Sequence, residues 1–335
     1  MMRKINKFIY NIIVCISVIL NIFMIDECFG DINFKFTNTS TIDNDISLNN
    51  NHSISSNFRK IRLDMNIDEV KSLVGEPDRI DLSSYGFNWY VYNNYKNTFF
   101  MIGIDNNKVV GIYSNTDNNI HLNEIKIDET GINYIRNNFK VEERQNDEKE
   151  YDVLKMIGYN ITLFYDIHKD YTVTSFEIIK NKYLIKRAYN FYFSKDIEKS
   201  ELYTDKLEKS LEMQMFDLIN STREKFGLKK LEYDNNNAHT SAKKHALDMK
   251  KQDYFAHNSL NGETPFDRMK KEGIQYSYAG ENLACGHINA IKAHHALMNS
   301  KGHRDIILTE EFKNVGIGIE FGGNYLSYYV QNYYA

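Results

Sequence analysis

Three short segments of the sequence carry side chains suited to acid–base or metal chemistry. They are His257 in Tyr254-Phe-Ala-His-Asn-Ser, Glu281 in Gly280-Glu-Asn-Leu-Ala, and His303 in Ser300-Lys-Gly-His-Arg. The three residues lie 24 and 22 positions apart, so no single helix can present them together. Each stands beside glycine or turn-forming residues, at the edge of an expected element, where side chains from separate elements can converge on a cleft. Two imidazoles and a carboxylate form a common open ligand set for a divalent metal such as zinc. The same groups also suit proton transfer. Ser259, Asn282 and Ser300 flank them: Ser259 can cap or brace His257, and Asn282 can bond backbone within its turn. A zinc-bound water needs three ligands and an open position, which His257, Glu281 and His303 can supply. Against hydrolysis, the sequence has neither a His-Glu-x-x-His helix nor a Gly-x-Ser-x-Gly elbow. Ligand binding in a His/Glu cleft is therefore the leading expectation. A hydrolase, metal-assisted or using Ser with His and Glu281, is the alternative, with no catalytic residue assigned.

The elements that must position these groups can be read around them. Leu207, Leu211, Met215, Leu218 and Ile219 share one helix face, and Gly227-Leu228 ends that helix. A second helix is expected over Ala238–Lys251, with shorter ones at Phe266–Lys271 and Ile288–Asn299. Val315-Gly-Ile-Gly-Ile-Glu-Phe, a Gly322-Gly323-Asn324 turn and Tyr325–Tyr333 close the chain as a β-hairpin. Helices first and strands last predict a sheet covered by helices. His294 and His295 are expected on the surface, and His239, His245 and His287 at helix surfaces or core edges. Asn220, Arg223 and Arg304 read as structural ties.

Upstream, residues 58–200 contain two units of similar grammar. The first has a helix start at Asn66–Val70, a stop at Gly75-Glu76-Pro77, and strand-like runs at Asn88–Tyr92, Thr98–Ile104 and Lys108–Tyr113. The second repeats the plan more loosely, with a helix around Tyr134–Phe139 and strands near Tyr159–Tyr165 and Tyr171–Ile179. A tandem α+β pair follows, with no catalytic constellation inside it. Exposed aromatics such as Trp89 and Tyr90 would make it a protein-recognition module, a third reading of where function lies. Residues 183–206 bridge to the C-terminal part.

The 335 residues suggest two domains at about 150 residues each. With 42% apolar and 26% charged residues the composition is globular. The net charge of −4, and as many acids as bases after Leu207, exclude a global basic field for nucleic acid. Residues 1–7 carry three positive charges and precede the apolar run Phe8–Ile25. Residues 1–30 thus read as a signal peptide, cleaved after Gly30, or as a membrane anchor, with the remainder outside the membrane. Residues 31–57, rich in Asn, Ser, Thr and Asp, read as a disordered linker. Of three cysteines, cleavage would leave Cys285 alone, so no internal disulfide is expected.

The ordered set His257-Asn258-Ser259, Gly280-Glu281-Asn282-Leu283-Ala284 and Asn299-Ser300-Lys301-Gly302-His303-Arg304 is joined by Asn220-Ser-Thr-Arg223, Val315-Gly-Ile-Gly318 and Tyr329-Val-Gln-Asn332. Together they closely resemble the CAP superfamily of cysteine-rich secretory, antigen 5 and pathogenesis-related proteins, over residues 207–335. Residues 58–200 resemble the CAP-associated N-terminal domain of bacterial members, through Ile67–Val70, Gly75–Pro77, Phe87–Tyr92 and Val109–Tyr113. The resemblance implies an α+β protein: a C-terminal α-β-α sandwich with a central cleft, preceded by the tandem small α+β module. It also implies an extracellular or envelope protein whose cleft can hold zinc between two histidines and two acids. His257, Glu281 and His303 match three of those four. The second acid falls here at Ser300, and the Trp that precedes it at Leu297, so a weaker metal site is expected. The ligand implied is a lipid, a wall fragment or a protein.

Overall fold

The computed structural model describes residues 60–95, 98–116, 125–141, 150–184 and 203–335. The expected leader at 1–30, the linker at 31–57 and the stretch 185–202 of the bridge lie outside the described residues. Helix α1 (Ile67–Val74) opens where the Asn66 side chain accepts from the Asp68 backbone N–H, and stops at Gly75, whose φ of 84° suits glycine. Strands β1 (Arg79–Leu82), β2 (Asn88–Tyr95), β3 (Thr98–Asp105) and β4 (Lys108–Ser114) follow, then α2 (Ile132–Asn138), β5 (Tyr151–Met156), β6 (Tyr159–Asp166) and β7 (Thr172–Lys180).

Helix-then-meander occurs twice, as the sequence implies, but the units merge. β4 pairs antiparallel with β7, giving one seven-stranded sheet in the order β1-β2-β3-β4-β7-β6-β5. Each unit alone would leave the open edge of β4 or β7 to solvent, and pairing removes both.

Side-chain alternation divides this sheet between two cores. Phe100, Ile102 and Ile104 of β3 face α1 and α2, joining Val70 and Ile135. Phe99 and Met101 face the other way, with Trp89, Val91 and Tyr113, onto Leu207, Leu211, Met215 and Leu218. Trp89 is therefore not an exposed recognition residue. It lies fully buried between the two halves of the chain, a position that its own strand pattern could not distinguish from an outer face.

The C-terminal half begins with α3 (Asp205–Lys225), whose N-cap Thr204 accepts from the Leu207 N–H. It continues through β8 (Glu232–Tyr233), α4 (Asn237–Gln252), α5 (Pro265–Lys271), β9 (Ala279–Cys285), α6 (Ala290–Asn299), α7 (Lys301–Ile307), β10 (Asn314–Phe321) and β11 (Ser327–Tyr334). The second sheet runs β8-β10-β11-β9. On one face the backbone of α4 lies directly on β10: a Cβ at Gly316 or Gly318 would collide with it, which explains the Val-Gly-Ile-Gly-Ile pattern. α3 and α6 cover the other face, through Val315, Ile317 and Ile319.

α3 thus lies between two sheets, and polar as well as apolar residues around it are buried. Its polar side serves the N-terminal sheet. Gln214 donates to the Leu82 carbonyl at 2.9 Å, and Asp217 accepts from Arg79 at 2.5 Å and Asn93 at 2.6 Å. His294 and His295, expected on the surface, are buried in the same layer. His295 stacks on Phe164 with ring centroids 4.2 Å apart and pairs with the Ser175 hydroxyl at 2.7 Å. The partners of His295 come from more than 100 positions upstream in the chain, whereas His294 meets Thr222 of α3.

Candidate functional site

The loop between α4 and α5 delivers His257. It leaves α4 at Asp253, in the left-handed region at φ 58°. The buried His245 of α4 then donates from Nε2 to the Ala256 carbonyl at 3.0 Å, fixing the loop one residue before His257. A tight turn follows, with Gly262 N–H to the Ser259 carbonyl and Ser259 N–H to the Glu263 carbonyl. Thr264 and Asp267 form a capping box that starts α5, with Pro265 in the first turn. α5 then projects Arg268 into the interior.

Glu281 is not at an element edge, as its glycine neighbour suggests, but within β9, paired opposite Asn332 of β11. Its side chain is 2% exposed. His257 Nδ1–H donates to Oε1 at 2.9 Å, and Arg268 donates to Oε2 at 2.7 Å. Asn332, in the amide orientation that satisfies both its ends, adds a donor to Oε2 at 3.2 Å while accepting from Ser241 and the Ala242 N–H. A buried carboxylate thus meets two charge-assisted or aligned donors and an amide. His257 is the outer member, its side chain 51% exposed. With Nδ1 directed at Glu281, its Nε2 faces outward.

His303 comes from α7, on the other side. Its Nδ1 pairs with the Ser300 hydroxyl at 2.8 Å, and its carbonyl accepts from Asn282 at 3.1 Å. Burial, and then the proximity of His257, push its pKa below the ordinary histidine value. Among the described residues the Nε2 atoms of His257 and His303 have no protein hydrogen-bond partner. One imidazole is thus anchored on a carboxylate and the other on a hydroxyl, and the two stand close enough for His257 to act on the titration of His303.

The six residues singled out from the sequence divide into three roles here. His257 and His303 stand near one another, each with its Nδ1 held by a protein group. Glu281 and Ser300 orient them from behind. Ser259 does not brace His257; its hydroxyl accepts from Arg268 at 3.2 Å. Asn282 bonds the backbone of His303 and the Gln331 side chain instead of its own turn. Asn220 and Arg223 do act as ties, Asn220 through both backbone groups of Leu231 and Arg223 through the carbonyls of Lys229, Ile307 and Thr309.

Of the three-ligand set His257, Glu281 and His303, Glu281 has both oxygens engaged by hydrogen bonds, one of them from the His257 ring. Among the described residues no group of three or more His, Cys, Asp or Glu stands gathered for a metal. What fits is narrower: two imidazole nitrogens with Glu281 behind one of them, half of a tetrahedral zinc set. Nor is a Ser-His-Glu relay assembled. The serine and the carboxylate sit on different imidazoles, whereas the relay needs both on one.

Arg268 and Asn332 escaped the sequence reading. The usable signal for Arg268 was its place three residues after Pro265 and beside Met269, on a helix face otherwise apolar.

Residues 216–333 match the family model described as cysteine-rich secretory protein family, CAP, and residues 63–189 match that of the CAP-associated N-terminal domain. The chain belongs to the CAP family, in the form that carries the associated domain ahead of the CAP domain. Among relatives, it is 29% identical over 284 residues to the Bacillus subtilis (strain 168) protein named uncharacterized membrane protein YlbC, covering 79% of this chain and 80% of that one. It is 41% identical over 113 residues to the uncharacterized protein YkwD of the same organism, covering 34% and 44%. Among solved structures, an extracellular protein containing a SCP domain from Bacillus anthracis str. Ames superposes with a TM-score of 0.68 at 23% identity, over 90% of this chain and 99% of that one. A cysteine-rich secretory protein from Staphylococcus aureus gives 0.62 at 16% identity, over 81% and 91%. These two likenesses establish the fold: α+β, with a CAP sandwich and an N-terminal module.

Proposed function

We propose that this is an exported cell-envelope protein whose CAP domain binds a ligand in the cleft between His257 and His303. The observation that carries the reading is the half-exposed His257 imidazole fixed on a buried Glu281–Arg268 pair, with His303 beside it. Burying a carboxylate and a guanidinium only to aim an imidazole outward is costly for stability alone. Such an arrangement makes sense where the imidazole edge is used. Neutral imidazole offers one acceptor or donor per outward nitrogen, suited to hydroxyl, amide or phosphate groups of a lipid, a wall fragment or a protein.

Export is supported by the basic and then apolar segment at residues 3–25. It is also supported by relatives, one named a membrane protein and another an extracellular protein. Among the described residues no helix is long and apolar enough to cross a membrane.

The test is capture from solubilised envelope extract by the wild-type protein and by a His257→Ala/His303→Ala variant, with bound material identified by mass spectrometry. Loss of capture in the variant is expected. Equal capture by both would remove the cleft from the function.

A further inference from the structure

The corner between α6 and α7 has an alternating plan. Asn299 and Arg304 reach into the N-terminal domain, while Ser300 and His303, between them, serve the cleft. Asn299 accepts from the Ile167 N–H at 3.1 Å and donates to the Tyr165 carbonyl at 3.0 Å. Its own carbonyl accepts from His168 Nε2 at 3.0 Å. Arg304 makes a bidentate pair with Asp166, at 3.0 and 2.8 Å, and Asp166 also accepts from the His168 N–H. Every one of these partners lies at the end of β6 or in the turn that follows it.

Within its own domain the corner is tied by Asn282 to the His303 carbonyl and by Arg223 to the Ile307 carbonyl. α7 has seven residues, too few for a helix to be stable by itself. Its N-cap Ser300 makes no side-chain capping bond, and that hydroxyl pairs with His303. Asp166 and Asn299 are buried, at 7% and 6% exposure, so these bonds act where solvent does not compete.

We propose that the N-terminal domain sets the cleft: the turn after β6, through Asp166, clamps the α6–α7 corner and thereby positions His303 for ligand. Asp166, Asn299 and Arg304 are positioning residues, and the associated domain regulates the same site that the CAP domain presents. This deepens the cleft reading above and rests on it for its functional meaning, though the clamp itself can be tested without any ligand.

The experiment is long-range proton–nitrogen NMR of the histidine rings, on the chain from residue 31 onward, with His303 and His257 signals assigned from His303→Ala and His257→Ala. Asp166→Asn keeps the shape of the clamp and removes its charge. It should displace or broaden the His303 ring resonances and leave those of His257 in place. Asp217→Asn is the control, a buried carboxylate of the same domain interface that bonds Arg79 and Asn93 on β1 and β2 instead of the β6 turn. It should leave both rings unmoved. An unmoved His303 in Asp166→Asn, or an equal displacement in Asp217→Asn, would overturn the clamp. If Asp166→Asn fails to fold, Arg304→Lys retains the charge, loses the bidentate fork and decides by the same signals. Equal capture by wild type and His257→Ala/His303→Ala, alongside a displaced His303 in Asp166→Asn, would sink the binding reading and leave the clamp standing.

Discussion

His257 is half-exposed with His303 near it, whereas His294 and His295, on the helix leading to His303, are buried between the domains. The two pairs differ in what stands behind them. His257 has a carboxylate on Nδ1, and His303 a serine hydroxyl, so each ring is aimed. His294 pairs by Nε2 with Thr222 at 2.8 Å, and its Nδ1 is buried with no partner. Its nearest charge is the Lys225 ammonium, itself held by Asp128 and by the Asn115 and Thr174 carbonyls. Burial first, and that cation second, push the His294 pKa down to about 3, and His295 also falls well below the ordinary value. These rings are neutral packing groups with a polar edge. What sets the first pair apart is a polar group on Nδ1 together with access to solvent, and solvent access is not a property of a histidine's own sequence neighbours.

The largest expected effect is on the anchored pair. Arg268→Met leaves the Glu281 carboxylate buried without its guanidinium, which should cost about 3–5 kcal/mol by chemical denaturation. The double variant Arg268→Met/Glu281→Leu should recover most of that loss. A cost under about 1 kcal/mol for the single variant would mean that Glu281 is not anchored as described.

Next comes the packed pair. His295→Ala removes a ring stacked on Phe164 and leaves the Ser175 hydroxyl facing a void, so about 2–4 kcal/mol should be lost. A near-neutral result in the same denaturation measurement would show that water fills the space and that the ring contributes little.

Acid should separate the two pairs further. For His294 the folded pKa is depressed, so the unfolded state takes up the proton first. Its stabilising contribution is complete above the unfolded pKa of about 6.5 and is lost progressively below it. With a folded value near 3, His294 alone costs about 2 kcal/mol by pH 5. His295 adds to this in the same direction. Thermal unfolding followed from pH 7.5 to pH 4.5 should show the decline, and His294→Gln/His295→Gln should flatten it. A parallel decline in that variant would assign the acid sensitivity to other groups.

Much of the fold could be read from the sequence because its signals are local. The Gly75 stop and the closing hairpin are fixed by backbone demands within a few residues. The motif residues His257, Glu281 and His303 were likewise visible. What could not be read was which surface each would meet. Trp89 and Tyr90 alternate identically whether the outer face of the sheet is wet or covered, and only α3, more than 100 residues on, decides it. The same holds for His295, whose cover comes from β4, β6 and β7, and for His294, which meets Thr222 of α3. That Glu281 faces Arg268 could not be read either, because Arg268 lies on a different element and a carboxylate in a strand does not announce which cation it meets.

The smallest expected effect on stability is at His257. The ring is half in solvent and fills no cavity, so His257→Ala removes a single hydrogen bond from a carboxylate that keeps Arg268 and Asn332. That should cost under about 1 kcal/mol, in contrast to the several expected at His295. The comparison is sharpest if both variants are denatured side by side and then offered the same envelope extract. His257→Ala should be nearly as stable as wild type yet lose capture, while any folded His295→Ala should be less stable and still bind. Loss of stability at His257 as large as at His295 would make its ring a structural member of the Glu281–Arg268 anchor, with the outward nitrogen incidental.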